Sequence, residues 1–127
     1  MNYNEINNKL TDIYNEDNIL IIYILIIIAS WYSNSLEKDY FLYNDINCKN
    51  KYREVMIKIF TILLIAYFYF FINSMKDVNA LKPTDTLKKR KLTELSAIGS
   101  LFIVVSGLIF LYIAYMDQDI DVEIAFN

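Results

Sequence analysis

Three stretches of the chain carry almost no charge, and they narrow what it can fold into more than any other feature. The first, NILIIYILIIIASWYSNS, covers residues 18–35 and lies in a charge-free interval between Asp17 and Glu37. The second runs over about 56–75 and includes IKIFTILLIAYFYFFINSM, with Lys58 near its start. The third, LSAIGSLFIVVSGLIFLYIAYM, covers 95–116 and is bounded by Glu94 and Asp117. Each is far longer than an ordinary strand, and none shows a polar face at helical spacing. A helix that is apolar all round belongs in a large core or in lipid. A chain of 127 residues cannot wrap three such helices in protein, so lipid is the expected solvent.

The magnitudes agree. Nine Ile and Leu residues in 18–35, at roughly −0.3 to −0.6 kcal/mol each, favour insertion by about −3 to −5 kcal/mol. A cleavable signal peptide fits poorly, because the preceding segment has Lys9 alone among Glu5, Asp12, Glu16 and Asp17, the reverse of a basic leader. Trp31 and Tyr32 close the first run, Tyr67 to Phe71 the second, and Tyr112 and Tyr115 the third. Alternating spans put the first and third clusters at one membrane interface, where amphipathic rings anchor helices. The expected fold is an all-α membrane protein: three transmembrane helices, joined by short amphipathic or irregular segments, in a single domain.

The connecting segments differ in charge. The acidic amino tail, residues 1–17, places Tyr3, Ile6, Leu10, Ile13 and Tyr14 at helical spacing, which predicts a short amphipathic helix at the interface. The first loop, SNSLEKDYFLYNDINCKNKYREVM, balances its charges around an apolar knot, Tyr40 to Tyr43. The second, residues 76–94, is basic. There Pro83 should interrupt the chain, Thr84 or Asp85 should cap the third helix, and Lys88, Lys89, Arg90 and Lys91 should meet lipid headgroups or act as a topology signal. Basic loops favour the cytoplasm, so an amino terminus inside and a carboxyl terminus outside are expected, although the first span taken alone prefers the reverse.

Composition excludes several function classes. A net charge of −3 gives no basic excess for nucleic acid. There is no histidine, the commonest metal ligand and general base, and no Asp, Glu or Arg lies inside a span, as a proton relay or ion-coupled transporter would need. No catalytic residue, metal ligand, cofactor or small-molecule substrate is indicated. The acidic carboxyl tail DQDIDVEIAFN, residues 117–127, alternates Asp117, Asp119, Asp121 and Glu123 with Ile120, Val122 and Ile124. Extended backbone would put the acids on one side and the aliphatics on the other, as a surface strand or a tail docking on a partner. Its D-x-D-x-D opening lacks the glycine and distal glutamate of a calcium loop. Cys48 is alone and is a candidate for juxtamembrane acylation, while Lys49, Lys51 and Arg53 supply basic surroundings.

The strongest packing signal is on the third span, where Ser96, Gly99, Ser100, Ser106, Gly107 and Ala114 fall along one side with Ile103 and Phe110. Small residues let helices approach closely, within one chain or between copies. The first two spans show no such stripe.

The Ile/Asn/Lys/Tyr-rich composition, together with the ending LYIAYMDQDIDVEIAFN, resembles the small multi-span membrane proteins of AT-rich nucleocytoplasmic large DNA viruses. That resemblance implies a component of a virion inner membrane or a host membrane, with no residue-level role attached. The expected function is non-enzymatic: a structural or scaffold protein whose partners are the bilayer, itself or other membrane proteins. The alternatives are a small holin-like pore, for which Ser96, Ser100 and Ser106 are the available polar line, and an accessory subunit of a larger membrane complex.

Overall fold

A computed structural model describes residues 2–122 and 124. It contains three helices, α1 (Tyr3–Tyr43), α2 (Ile46–Asn79) and α3 (Leu87–Met116), and all three are long and apolar enough to cross a membrane. At 1.5 Å per residue, α1 is about 60 Å long and α2 about 50 Å, against a hydrocarbon thickness of about 30 Å. The helices therefore continue well past the spans.

That continuation replaces two expected connections. The amino tail is no separate interfacial helix; it is the first part of α1. Asn2 starts it, accepting from Glu5 N at 2.8 Å while the Glu5 carboxylate accepts from Asn2 N at 3.3 Å, a reciprocal cap that satisfies two otherwise orphaned donors. The first loop is mostly helical as well, because Glu, Lys and Arg are good helix formers despite their charge. What remains is a turn at Asn44 and Asp45. Asn44 takes the left-handed conformation (φ 52°), which asparagine tolerates better than most residues. Asp45 then caps α2 by accepting from Asn47 N at 2.9 Å. The α2–α3 connection, residues 80–86, contains Pro83, but the cap of α3 is Thr86, one residue beyond those expected, accepting from Lys89 N at 3.2 Å. Asp85 instead accepts from Lys82 N at 2.7 Å.

Packing follows one rule on all three helices. On α1 the buried and half-buried positions include Ile19, Tyr23, Ile26, Ser30, Ser33, Glu37 and Tyr40. On α2 they include Tyr52, Met56, Ile59, Leu63, Ala66, Phe70 and Asn73. On α3 they include Thr93, Ala97, Ser100, Val104, Gly107, Leu111 and Ala114. Every series alternates steps of four and three residues, the seam of left-handed knobs-into-holes packing. α2 is the central helix: α1 and α3 each pack on it, and their backbones do not approach one another. The core gathers toward the α1–α2 turn, where Met56, Phe60 and Leu63 are almost fully buried and Phe60 meets Phe110 with ring centroids 5.8 Å apart.

Candidate functional site

The expected packing stripe on α3 divides in two. Ser100, Gly107 and Ala114 lie on the seam, Gly107 so tightly that an added Cβ would stand 2.9 Å from Tyr67 Cδ2. Glycine is needed there for close approach. Ser96, Gly99 and Ser106 are exposed in the chain, and a Cβ on Gly99 would meet nothing within 4 Å. Ala97 and Val104 complete the seam instead. The holin-type polar line divides likewise: Ser100 shares a hydrogen bond with Ser74 at 2.9 Å inside the bundle, while Ser106 faces outward.

A second close approach occurs on α1, where the sequence offered no stripe. Ser33 is completely buried; its Oγ donates to the Ser30 carbonyl at 2.7 Å and contacts Met56 Sδ at 3.6 Å. Ala29, Ser30 and Ser33, small residues that follow the bulky aliphatics of 24–28, were the signal for this contact.

The two ends of the bundle are built differently. At the α1–α2 turn, the carboxyl tail folds back over the core. Arg53 Nε donates to the Asp117 carbonyl at 3.2 Å and Nη2 to the Tyr115 carbonyl at 3.1 Å, serving carbonyls that the end of α3 leaves unpaired. Lys49 Nζ meets Asp119 Oδ1 at 2.8 Å, and the hydrogen bond and charge of Lys49 hold the Asp119 carboxyl below the usual aspartate range. Asp117 accepts from the amides of Asp121 (3.1 Å) and Val122 (2.8 Å), which bends the chain through Ile120 at φ 57°. That is strained for a β-branched residue. The bend contradicts the expected extended strand: Ile120 and Ile124 turn onto the core and Val122 stays outside, so the tail docks on its own helices. Glu123 and residues 125–127 of the expected alternation lie outside the described residues.

At the opposite end the helices separate. A cleft of about 460 Å³ lies between Glu16 and Tyr23 of α1, Tyr67, Phe70, Asn73, Ser74 and Asp77 of α2, and Ser96, Ser100 and Ile103 of α3. It continues as an open furrow along the amino half of α1, past Asp12 and Lys76 to Glu5, Lys9, Lys82 and Lys89. The inner seam of α1 explains this. Carried back from Ile19 by the same steps, it falls on Glu16, Asp12, Lys9 and Glu5, charged residues that hold water and cannot close against a neighbour.

The basic cluster opens α3. Lys89 pairs with Asp85 at 3.1 Å and Arg90 Nη2 donates to the Lys82 carbonyl at 2.8 Å, so both brace the loop, whereas Lys88 and Lys91 are exposed. Trp31, Tyr32, Tyr112 and Tyr115 are all exposed toward the end that carries the tail. Lys58 pairs with Glu54 one turn earlier, at 2.7 Å, directed toward the polar boundary. Desolvation and the hydrogen bond from Cys48 Sγ to Asp45 (3.5 Å) push the Cys48 thiol up; its nearest charged partner is acidic, which disfavours the reactive thiolate. The apolar knot at Tyr40 to Tyr43 is the last turn of α1, with Lys49 5.5 Å from the Tyr40 ring centre. Comparison with protein-family models, curated proteins and solved structures gave no match.

Proposed function

We propose that this chain is a non-enzymatic structural component of a membrane, acting by presenting a long helix to a protein neighbour. The observation that carries this reading is the outer face of α1. Ile6, Leu10, Ile13, Leu20, Ile24, Ile27 and Trp31 recur at alternating steps, broken only by Asp17, and every one is exposed. Lipid accounts for the residues after Asp17. It does not reach the preceding part, which projects about 20 Å along the axis at 1.5 Å per residue. An exposed apolar seam beyond the bilayer suits a helical partner, and this favours the accessory-subunit variant of the same reading.

The compositional resemblance supports a viral or host membrane as the setting of such a component. Lys9, Lys76, Lys82 and residues 88–91 gather at the end bearing the amino segment, against Lys38, Lys49, Lys51 and Arg53 at the other. That excess supports a cytoplasmic amino terminus. The holin-like alternative is tested by dye release from liposomes containing the purified chain: a structural role predicts retention, and strong leakage would overturn it. In mild detergent, Ile6→Glu with Leu10→Glu should abolish co-purification of the native partner while leaving the helices intact. Unchanged co-purification would remove the α1 face from the account.

A further inference from the structure

We infer that the cleft between α1, α2 and α3 is a binding site for a phospholipid with an ammonium headgroup, choline or ethanolamine. Its volume, about 460 Å³, is in the range of small-molecule sites. Because α1 and α3 do not approach each other, it opens sideways to the bilayer, with α2 as its floor.

The chemistry is graded along the membrane normal in the order of a lipid. At the polar mouth stand Glu16 and Asp77. Among the described residues neither carboxylate has an ion-pair partner, and no Lys or Arg lines the cleft. Next come the hydroxyls of Ser74 and Ser100, 2.9 Å apart, at the depth of a glycerol ester. Deeper, about 15 Å along α2 from Asp77 at 1.5 Å per residue, Tyr67 forms an apolar wall with Tyr23 and Ile103. A cation is the complement of these two exposed, unpaired carboxylates, and the apolar wall below them asks that this cation carry a hydrocarbon body. Lys76 sits on the adjoining rim with Glu16 and Asp77, where it can meet the lipid phosphate. An anionic headgroup would face the carboxylates of Asp12, Glu16 and Asp77 with Lys76 as the single cation lining that rim.

The test uses the full chain in nanodiscs with spin-labelled lipids. Phosphatidylcholine or phosphatidylethanolamine should be retained over phosphatidylglycerol by roughly tenfold. Glu16→Gln with Asp77→Asn should reduce that preference to about twofold or less. Asp121→Asn, at the far end, should change nothing, and circular dichroism should show each variant fully helical. Lys76→Gln should weaken retention of the lipid without affecting choline chloride. Equal retention of phosphatidylglycerol, or a preference unchanged in the double variant, would overturn the site. Choline chloride binding as tightly as the lipid would overturn the lipid assignment.

Discussion

The two ends of this bundle share one helical register and reach opposite outcomes. At the α1–α2 turn the seam carries Ser33, Tyr52 and Met56, and the returning tail, held by Lys49 and Arg53 of α2, seals it with Ile124. At the other end the α1 seam turns to Glu16, Asp12, Lys9 and Glu5, and the helices part around a cleft. Backbone geometry does not distinguish the ends, since α1 is continuous through both. Residue type at the inner positions does. Closure needs small or apolar groups that fit a partner, and four charged side chains in series prevent it while leaving the helix itself intact.

The largest expected effect tests closure on α3. Gly107→Leu should destabilise the α2–α3 pair by about 1–3 kcal/mol, because the new side chain must displace Tyr67 or Leu64. Gly99→Leu, in open space within the chain, should leave that pair unchanged; thermal unfolding in detergent measures both. Next is the tail clamp. Arg53→Ala removes two hydrogen bonds from a charged donor and should cost about 1–2 kcal/mol, seen as faster proteolysis after Met116 with the helices unchanged. Asn44→Ala puts a residue of poor left-handed propensity into the turn and should cost up to about 1 kcal/mol, again read by unfolding.

The smallest effect is acid release of the tail. Asp119 has its folded value lowered, chiefly by its hydrogen bond with Lys49. The contribution of the pair is therefore complete above the ordinary aspartate value of about 3.9 and is lost as pH falls through the lowered value. Tail proteolysis by an acid-active protease should rise across that window in the native chain and be flat in Asp119→Asn. The Arg53 hydrogen bonds to the Tyr115 and Asp117 carbonyls and the burial of Ile124 remain, so docking should weaken without vanishing.

The comparison also shows what a single sequence reveals of a membrane bundle. Three helices were legible because length and lack of charge suffice to identify them. The phase of packing was harder. In a soluble helix a polar face marks the outside, but Ile98, Phe102 and Leu108 are exposed in the chain and as apolar as Val104 on the seam. Small residues lie on both sides of α3, so Ser96, Gly99 and Ser106 were as plausible as Ala97 and Val104 until α2 was in place. The first loop was misread for the opposite reason: Glu37, Lys38, Lys51 and Glu54 look like loop residues by charge, though they are good helix formers, and Asn44-Asp45 was the sole punctuation. The cleft depends on which residues of three helices stand level with one another, and no single segment contains that information.

The central claim is that the outward faces of all three helices lie in hydrocarbon. Nitroxides placed singly at Ile24→Cys, Ile65→Cys and Leu108→Cys, in a Cys48→Ser chain reconstituted into liposomes, report this directly through power-saturation accessibility. The account predicts strong relaxation by oxygen and exclusion of a water-soluble nickel chelate at all three sites, with the reverse at Tyr3→Cys. Chelate access at Ile24, Ile65 and Leu108 equal to that at Tyr3 would contradict it.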